Sequence, residues 1–162
     1  MIAKMENVAM NLGRVYHVNI NVSNLDRSVE FYKRLGFEVV MTFDTSDEKT
    51  LQNICGAFGE TPNAFRAAFM RLGNKPGAAI IDLVQWITRP TKGKPVQEFN
   101  HAGLFRVSFH VDNPDEVLAD LEANHIPLLG PVGYGDVEGR EARIFAFRDP
   151  DGTVLEVLSG ME

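Results

Sequence analysis

An α+β fold of two βαβββ modules, forming a partly closed barrel around a pocket, is predicted by three features of this 162-residue chain. An alternating strand pattern occurs twice, a capped helical pattern follows each copy, and the two halves close on matching apolar strands.

In the first copy, residues 14–22 place Tyr16, Val18, Ile20 and Val22 on one face and His17, Asn19 and Asn21 on the other, as a half-buried strand requires. Ser23 and Asp26 are candidate caps for the next segment, where Val29, Phe31, Tyr32 and Leu35 keep helical spacing until Gly36 ends it. Residues 37–43 read as a second strand. In the second copy, Phe105, Val107, Phe109 and Val111 alternate with Arg106, Ser108, His110 and Asp112. Asn113 then serves as N-cap and Pro114 as the first helical residue, while Val117, Leu118 and Leu121 form the apolar stripe up to a stop near Asn124.

The closing strands also match. Residues 79–84 and 153–158 are each an apolar run interrupted by one carboxylate, so Asp82 corresponds to Glu156. His17 corresponds to Arg106, since each stands five residues before the valine that ends its strand, Val22 or Val111. Edge-to-edge packing of two such units would close most of a barrel and gather these positions in its cavity.

Two segments lie outside the repeat. Residues 46–59, with Ser46 as cap and Leu51, Ile54, Cys55 and Phe58 on one face, suit a short amphipathic helix over an apolar rim, a candidate lid. Residues 88–101 carry Pro90, Gly93 and Pro95 and read as a linker. The expected organisation is an N-terminal arm at 1–13, a first module at 14–87, the linker, and a second module at 102–162.

Composition narrows the function classes. Hydrophobic residues make up 44% and charged residues 23%, and no apolar run approaches the roughly 20 residues of a membrane span. A soluble chain with no membrane partner is expected. The single cysteine cannot staple the fold, and the first residues lack a secretory pattern, so the expected location is cytoplasmic. A net charge of −6 with dispersed Lys and Arg offers no basic face for nucleic acid, leaving a small molecule as the expected partner.

The strand bearing His17, the run Asn24-Leu25-Asp26-Arg27-Ser28-Val29-Glu30-Phe31-Tyr32 with Leu35-Gly36-Phe37, and Asp149-Pro150-Asp151-Gly152 four residues before Glu156 resemble the vicinal-oxygen-chelate superfamily. That superfamily includes glyoxalase I, methylmalonyl-CoA epimerase, extradiol dioxygenases and the fosfomycin- and bleomycin-resistance proteins. The resemblance implies a homodimer and, in metal-dependent members, ligands from the places of His17, Asp82, Arg106 and Glu156. Arg106 departs from the usual histidine, because a guanidinium stays protonated and offers only donors. His17, Asp82 and Glu156 remain as candidate ligands for a divalent metal, with Fe, Mn, Zn, Ni and Mg unresolved. His110 lies roughly 13 Å along the strand from Arg106, too far to replace it.

The resemblance implies an enzyme of the isomerase, epimerase, lyase or dioxygenase type, with enolate-like chemistry on a small oxygen-rich substrate. Glu156, His17 and Arg106 are its candidate catalytic groups. Arg106, Asn19, Ser108 and His110 on the polar strand faces, with Trp86, Tyr134 and Phe145, are candidate substrate contacts. Arg106 is also a candidate partner for Glu156 or Asp82 in a structural ion pair. Gly130-Pro131-Val132-Gly133-Tyr134-Gly135 suits either a mobile loop or an ordinary hairpin connection, and Cys55 reads as packing. The competing function is a metal-free protein that binds a small molecule or antibiotic, resembling the bleomycin-resistance branch.

Overall fold

In the computed structural model, residues 13–74 and 78–160 are described. The expected arm therefore lies outside them except for Gly13. The elements run β1 (Val18–Asn21), α1 (Leu25–Arg34), β2 (Phe37–Thr45), α2 (Glu48–Gly56), β3 (Phe65–Leu72), β4 (Ile80–Trp86), β5 (Arg106–His110), α3 (Pro114–Ala123), β6 (Gly133–Val137), β7 (Arg140–Arg148) and β8 (Val154–Ser159). The βαβββ order thus occurs twice, with α2 inserted in the first copy.

Sheet A has strand order β1-β4-β3-β2 and sheet B has β5-β8-β7-β6. In each, the first strand runs parallel to the last and the other pairs are antiparallel. Asn19 pairs with Asp82 and Ser108 with Glu156. This register makes His17 and Arg106 equivalent, two residues before Asn19 and Ser108 respectively, as the spacing predicts.

The caps explain the helix boundaries. Asn24, rather than Ser23 or Asp26, caps α1 by accepting from the Arg27 amide at 3.0 Å. Gly36, at φ +88°, takes the left-handed position after the helix, where a side chain would be strained. Asp47, rather than Ser46, caps α2 by accepting from Thr50 N at 2.8 Å. Asn113 and Pro114 start α3 as expected. The glycine-rich stretch ends in strand β6, whose hairpin to β7 turns at Glu138 (φ 55°) and Gly139 (φ 81°); successive positive φ values match the twist of paired strands.

The apolar faces of both sheets share one core. Ile20, Val22, Met70, Ile81 and Leu83 from sheet A join Phe145, Phe147, Leu155 and Val157 from sheet B, with Leu25 and Tyr32 of α1 and Leu121 of α3. Phe31 lies 6.5 Å from Phe147 and Phe37 5.8 Å from Phe109, ring centre to ring centre. The buried Tyr32 hydroxyl donates to Asp149 at 3.2 Å, and burial together with the Asp149 charge pushes its pKa above the ordinary tyrosine value.

The fold is the expected pair of βαβββ modules, and within one chain their two sheets are not closed on each other. β1 and β5 are edge strands of separate sheets. With the apolar faces packed together, the polar faces lie on the outer sides, because burying the large apolar surfaces dominates the packing energy. No described helix is long and apolar enough to cross a membrane.

Candidate functional site

On the outer face of sheet A, β1 and β4 place His17 beside Asp82. The His17 Nε2 lies 3.9 Å from Asp82 Oδ2, and the Asn19 amide donates to the same oxygen at 3.2 Å. Among the described residues, the buried His17 Nδ1 and Asp82 Oδ1 have no hydrogen-bond partner. Partial burial raises the Asp82 pKa, and the Asn19 hydrogen bond and the His17 charge only partly offset that rise. A carboxyl held this way takes up a proton more readily than an exposed one.

Alternation along β4 puts Trp86, the chain's only tryptophan, on the same face, where its Nε1 donates to Asn21 Oδ1 at 2.8 Å. Helix α2 covers that end. Its Leu51 joins Phe65, Ala67, Val84 and Trp86 in a second apolar cluster. The candidate lid is thus a packed wall over the Trp86 end, and the His17–Asp82 end remains open. Buried Cys55 lies on the inner side of this helix, as packing requires.

On the outer face of sheet B, Arg106 Nε lies 2.6 Å from Glu156 Oε2, an ion pair with side chains 38% and 7% exposed respectively. Ser108 and His110 share this face by register, paired with Glu156 and Leu158. Among the described residues, no other carboxylate pairs with the Arg106 guanidinium.

Sheet A therefore gathers His17, Asn19, Asp82 and Trp86, while sheet B gathers Arg106, Ser108, His110 and Glu156. Tyr134 and Phe145 join neither set. In β7 it is Ala146 that pairs with Glu156, so Phe145 faces the core, where it is 3% exposed. Tyr134 pairs with Arg143, which reaches Asp115 at the start of α3 at 2.5 Å, so Tyr134 stands on the helix side.

Three aromatic residues absent from the expected site lie at its centre. Phe69 pairs with Asp82 across β3 and β4, and its ring is 5.2 Å from the His17 ring. Tyr16 and Phe43 flank it at 6.2 and 5.3 Å. Finding Phe69 required the β3–β4 register and Phe43 the β2–β3 register, which no local pattern in the sequence supplies, while Tyr16, expected on the face opposite His17, has its ring 5.4 Å from the His17 ring. A separate groove of about 480 Å³ under α3, lined by Leu118, Leu121, Ile126 and Leu128 among others, touches none of the polar pairs. The polar pairs, rather than this groove, are the candidate site: the groove's titratable residues, Glu122 and His125, are exposed and their side chains make no pair with each other.

The family model of the Glyoxalase/Bleomycin resistance protein/Dioxygenase superfamily matches residues 14–157. The chain belongs to this superfamily. Among solved structures, a glyoxalase family protein from Bacillus cereus is similar at 24% identity and TM-score 0.76, over 93% of this chain and 98% of that one. A glyoxalase family protein from Enterococcus faecalis aligns at 24% identity and TM-score 0.64, over 92% and 99%. The trypanothione-dependent glyoxalase I of Leishmania major aligns at 22% and 0.59, over 91% and 87%. No curated protein matches the chain.

Superfamily members often use a divalent metal, but the donors here do not fit one within a chain. His17 and Asp82 supply two ligands on sheet A, and Glu156 lies on the other sheet, held by a guanidinium that would repel a metal ion. Among the described residues, no group of three or more His, Cys, Asp or Glu side chains is placed to hold an ion.

Proposed function

We propose that this superfamily member is an enzyme that moves a proton next to a carbonyl of a small, oxygen-rich substrate, without a resident metal, in a site shared between two copies of the chain. The single observation that carries this is the division of the polar residues. The His17–Asp82 pair lies on the outer face of sheet A, and the Arg106–Glu156 pair on the outer face of sheet B. A homodimer that sets sheet A of one protomer against sheet B of its partner completes both sites at once by its two-fold symmetry.

In such a site the carbon–hydrogen bond breaks toward the Asp82 carboxylate, and the electron pair moves onto the carbonyl oxygen. Arg106 stabilises the resulting enolate through bidentate hydrogen bonding. Glu156 does not serve as base here; it orients Arg106. His17, 3.9 Å from Asp82, relays the proton back to the substrate. Return to the same carbon from the other side gives epimerisation, and return to the neighbouring atom gives isomerisation.

The exposed aromatic cluster around His17 favours a second reading, sequestration of a flat compound without chemistry. One experiment separates the two. Solvent deuterium incorporation into a panel of small 2-hydroxy and 2-oxo carbonyl compounds, followed by NMR, should be catalysed by the protein and fall at least about hundredfold in Asp82→Asn. Co-expressed Asp82→Asn and Arg106→Ala chains should recover about a quarter of the wild-type rate, since one site of each mixed dimer is intact. No recovery would overturn the shared site. No incorporation by the wild type would leave sequestration.

A further inference from the structure

Sheets A and B differ on their outer faces in one respect beyond charge. Opposite Asp82 stands Phe69, whereas opposite Glu156 stands Ala146. Met41 pairs with Phe69 and Phe43 with Ala67, so β2 brings two more apolar side chains to the Asp82 face. The corresponding edge strand of sheet B, β6, begins Gly133-Tyr134-Gly135; Gly133 stands where sheet A has Phe43 and pairs with Ile144, whose side chain occupies the room a Cβ on Gly133 would need. Sheet A thus presents an aromatic wall, and sheet B the smaller aliphatic side chains of Ala146 and Ile144.

The wall is aromatic and open. Tyr16 is 53% exposed and Phe43 39%, and both stand edge-on to Phe69, at interplanar angles of 70° and 71°. The His17 ring completes the group, 5.4 Å from Tyr16. None of these rings belongs to either apolar cluster, so packing of the fold does not account for them. A contiguous aromatic surface left outside the core marks a recognition site, and its quadrupoles favour a flat π-system over an aliphatic chain of equal size.

We infer that the site takes a ligand with a flat aromatic or fully conjugated ring, lying against Phe69 between Tyr16 and Phe43, with its oxygen-bearing group directed to Asp82 and Arg106. For the orientation of the oxygens this rests on the proton-transfer reading; for the ring it rests on the wall alone. Helix α2 and Trp86 bound the wall at one end, which selects a single ring with a short substituent over an extended polycycle.

A matched pair of 2-oxo acids tests the ring directly by calorimetric titration of the full chain. Phenylpyruvate and 3-cyclohexylpyruvate carry the same carboxylate and carbonyl and differ in ring flatness. Phenylpyruvate should bind about tenfold more tightly to the wild type, and Phe69→Leu should bring the ratio near one. Phe43→Leu, at an exposed position that keeps the fold safe, should lower the ratio about threefold. Equal affinities in the wild type, binding of neither acid, or a ratio unchanged in both variants would overturn the inference. Ring discrimination without deuterium incorporation would instead sink the catalytic reading and leave the aromatic site standing.

Discussion

The His17–Asp82 pair of sheet A and the Arg106–Glu156 pair of sheet B occupy the same place in two copies of one module, yet their electrostatics are opposed. The first leaves a buried ring nitrogen and a buried carboxylate oxygen without partners among the described residues. The second is a closed ion pair at 2.6 Å with a nearly buried carboxylate. Beside the first stands Phe69, and beside the second Ala146. Backbone register is fixed by hydrogen bonds that every residue type makes, so it survives duplication, while the side chains on the uncovered face are free to diverge. The two halves are therefore complements rather than duplicates: one carries His17, Asp82 and an aromatic wall, the other Arg106, Glu156 and small aliphatic side chains.

If the halves differ in this way, removing the cation should cost far more stability than removing the imidazole. Arg106→Ala leaves Glu156, 5% exposed, without its partner, and should cost about 2 kcal/mol. That figure lies below the range for fully buried pairs because the Arg106 side chain is 38% exposed and partly screened by water. His17→Ala removes no completed hydrogen bond and should cost about 0.5 kcal/mol or less. Urea unfolding of the two variants measures the difference, and equal losses would break the contrast between the halves.

A smaller effect concerns how the halves are held together. Counting from the caps Asn24 and Asn113, Tyr32 of α1 corresponds to Leu121 of α3. Only the tyrosine reaches the other module, through Asp149, and Ser23 and Arg27 reinforce that junction by donating to Asp151 at 3.0 and 2.9 Å. Tyr32→Phe should cost about 1 kcal/mol, because Asp149 keeps its amide donors from Asp151 and Thr153 and loses only the hydroxyl. A chemical-denaturation midpoint unchanged from wild type would show that the asymmetry of the helices carries no energy.

Local chemistry made much of this legible. Alternation disclosed β1 and β5, Asn113 and Pro114 opened α3, Gly36 closed α1, and the carboxylates in the closing strands identified Asp82 and Glu156 as equivalents. The hydrogen-bonding preferences of caps and the period of strands act within a few residues, so sequence spacing records them. Assembly did not follow from spacing. Whether two amphipathic sheets meet at their edges or through their apolar faces depends on three-dimensional packing, and the core chose the faces. Phe145 was misassigned for a related reason: parity along β7 is set by its pairing with β8, which puts Ala146, not Phe145, opposite Glu156. Phe69 was missed because only the register of β3 against β4 brings it to Asp82.

The finest contrast between the halves is in how stability depends on pH. Burial raises the Asp82 pKa, so the folded chain binds this proton more tightly than the unfolded chain does. Between the ordinary carboxylate range and the raised value, the folded state carries more protons, and its stability falls as pH rises through that window. Above it the penalty persists in full. Asp82→Asn cannot ionise and still offers an oxygen to the Asn19 amide, so it should be slightly more stable than wild type at neutral pH and indistinguishable from it near pH 3. Melting temperatures across that range test the sign. A variant less stable than wild type at pH 7 would mean that the Asp82 charge stabilises the fold, and the aspartate would then be a structural partner of His17 rather than a base held ready for substrate.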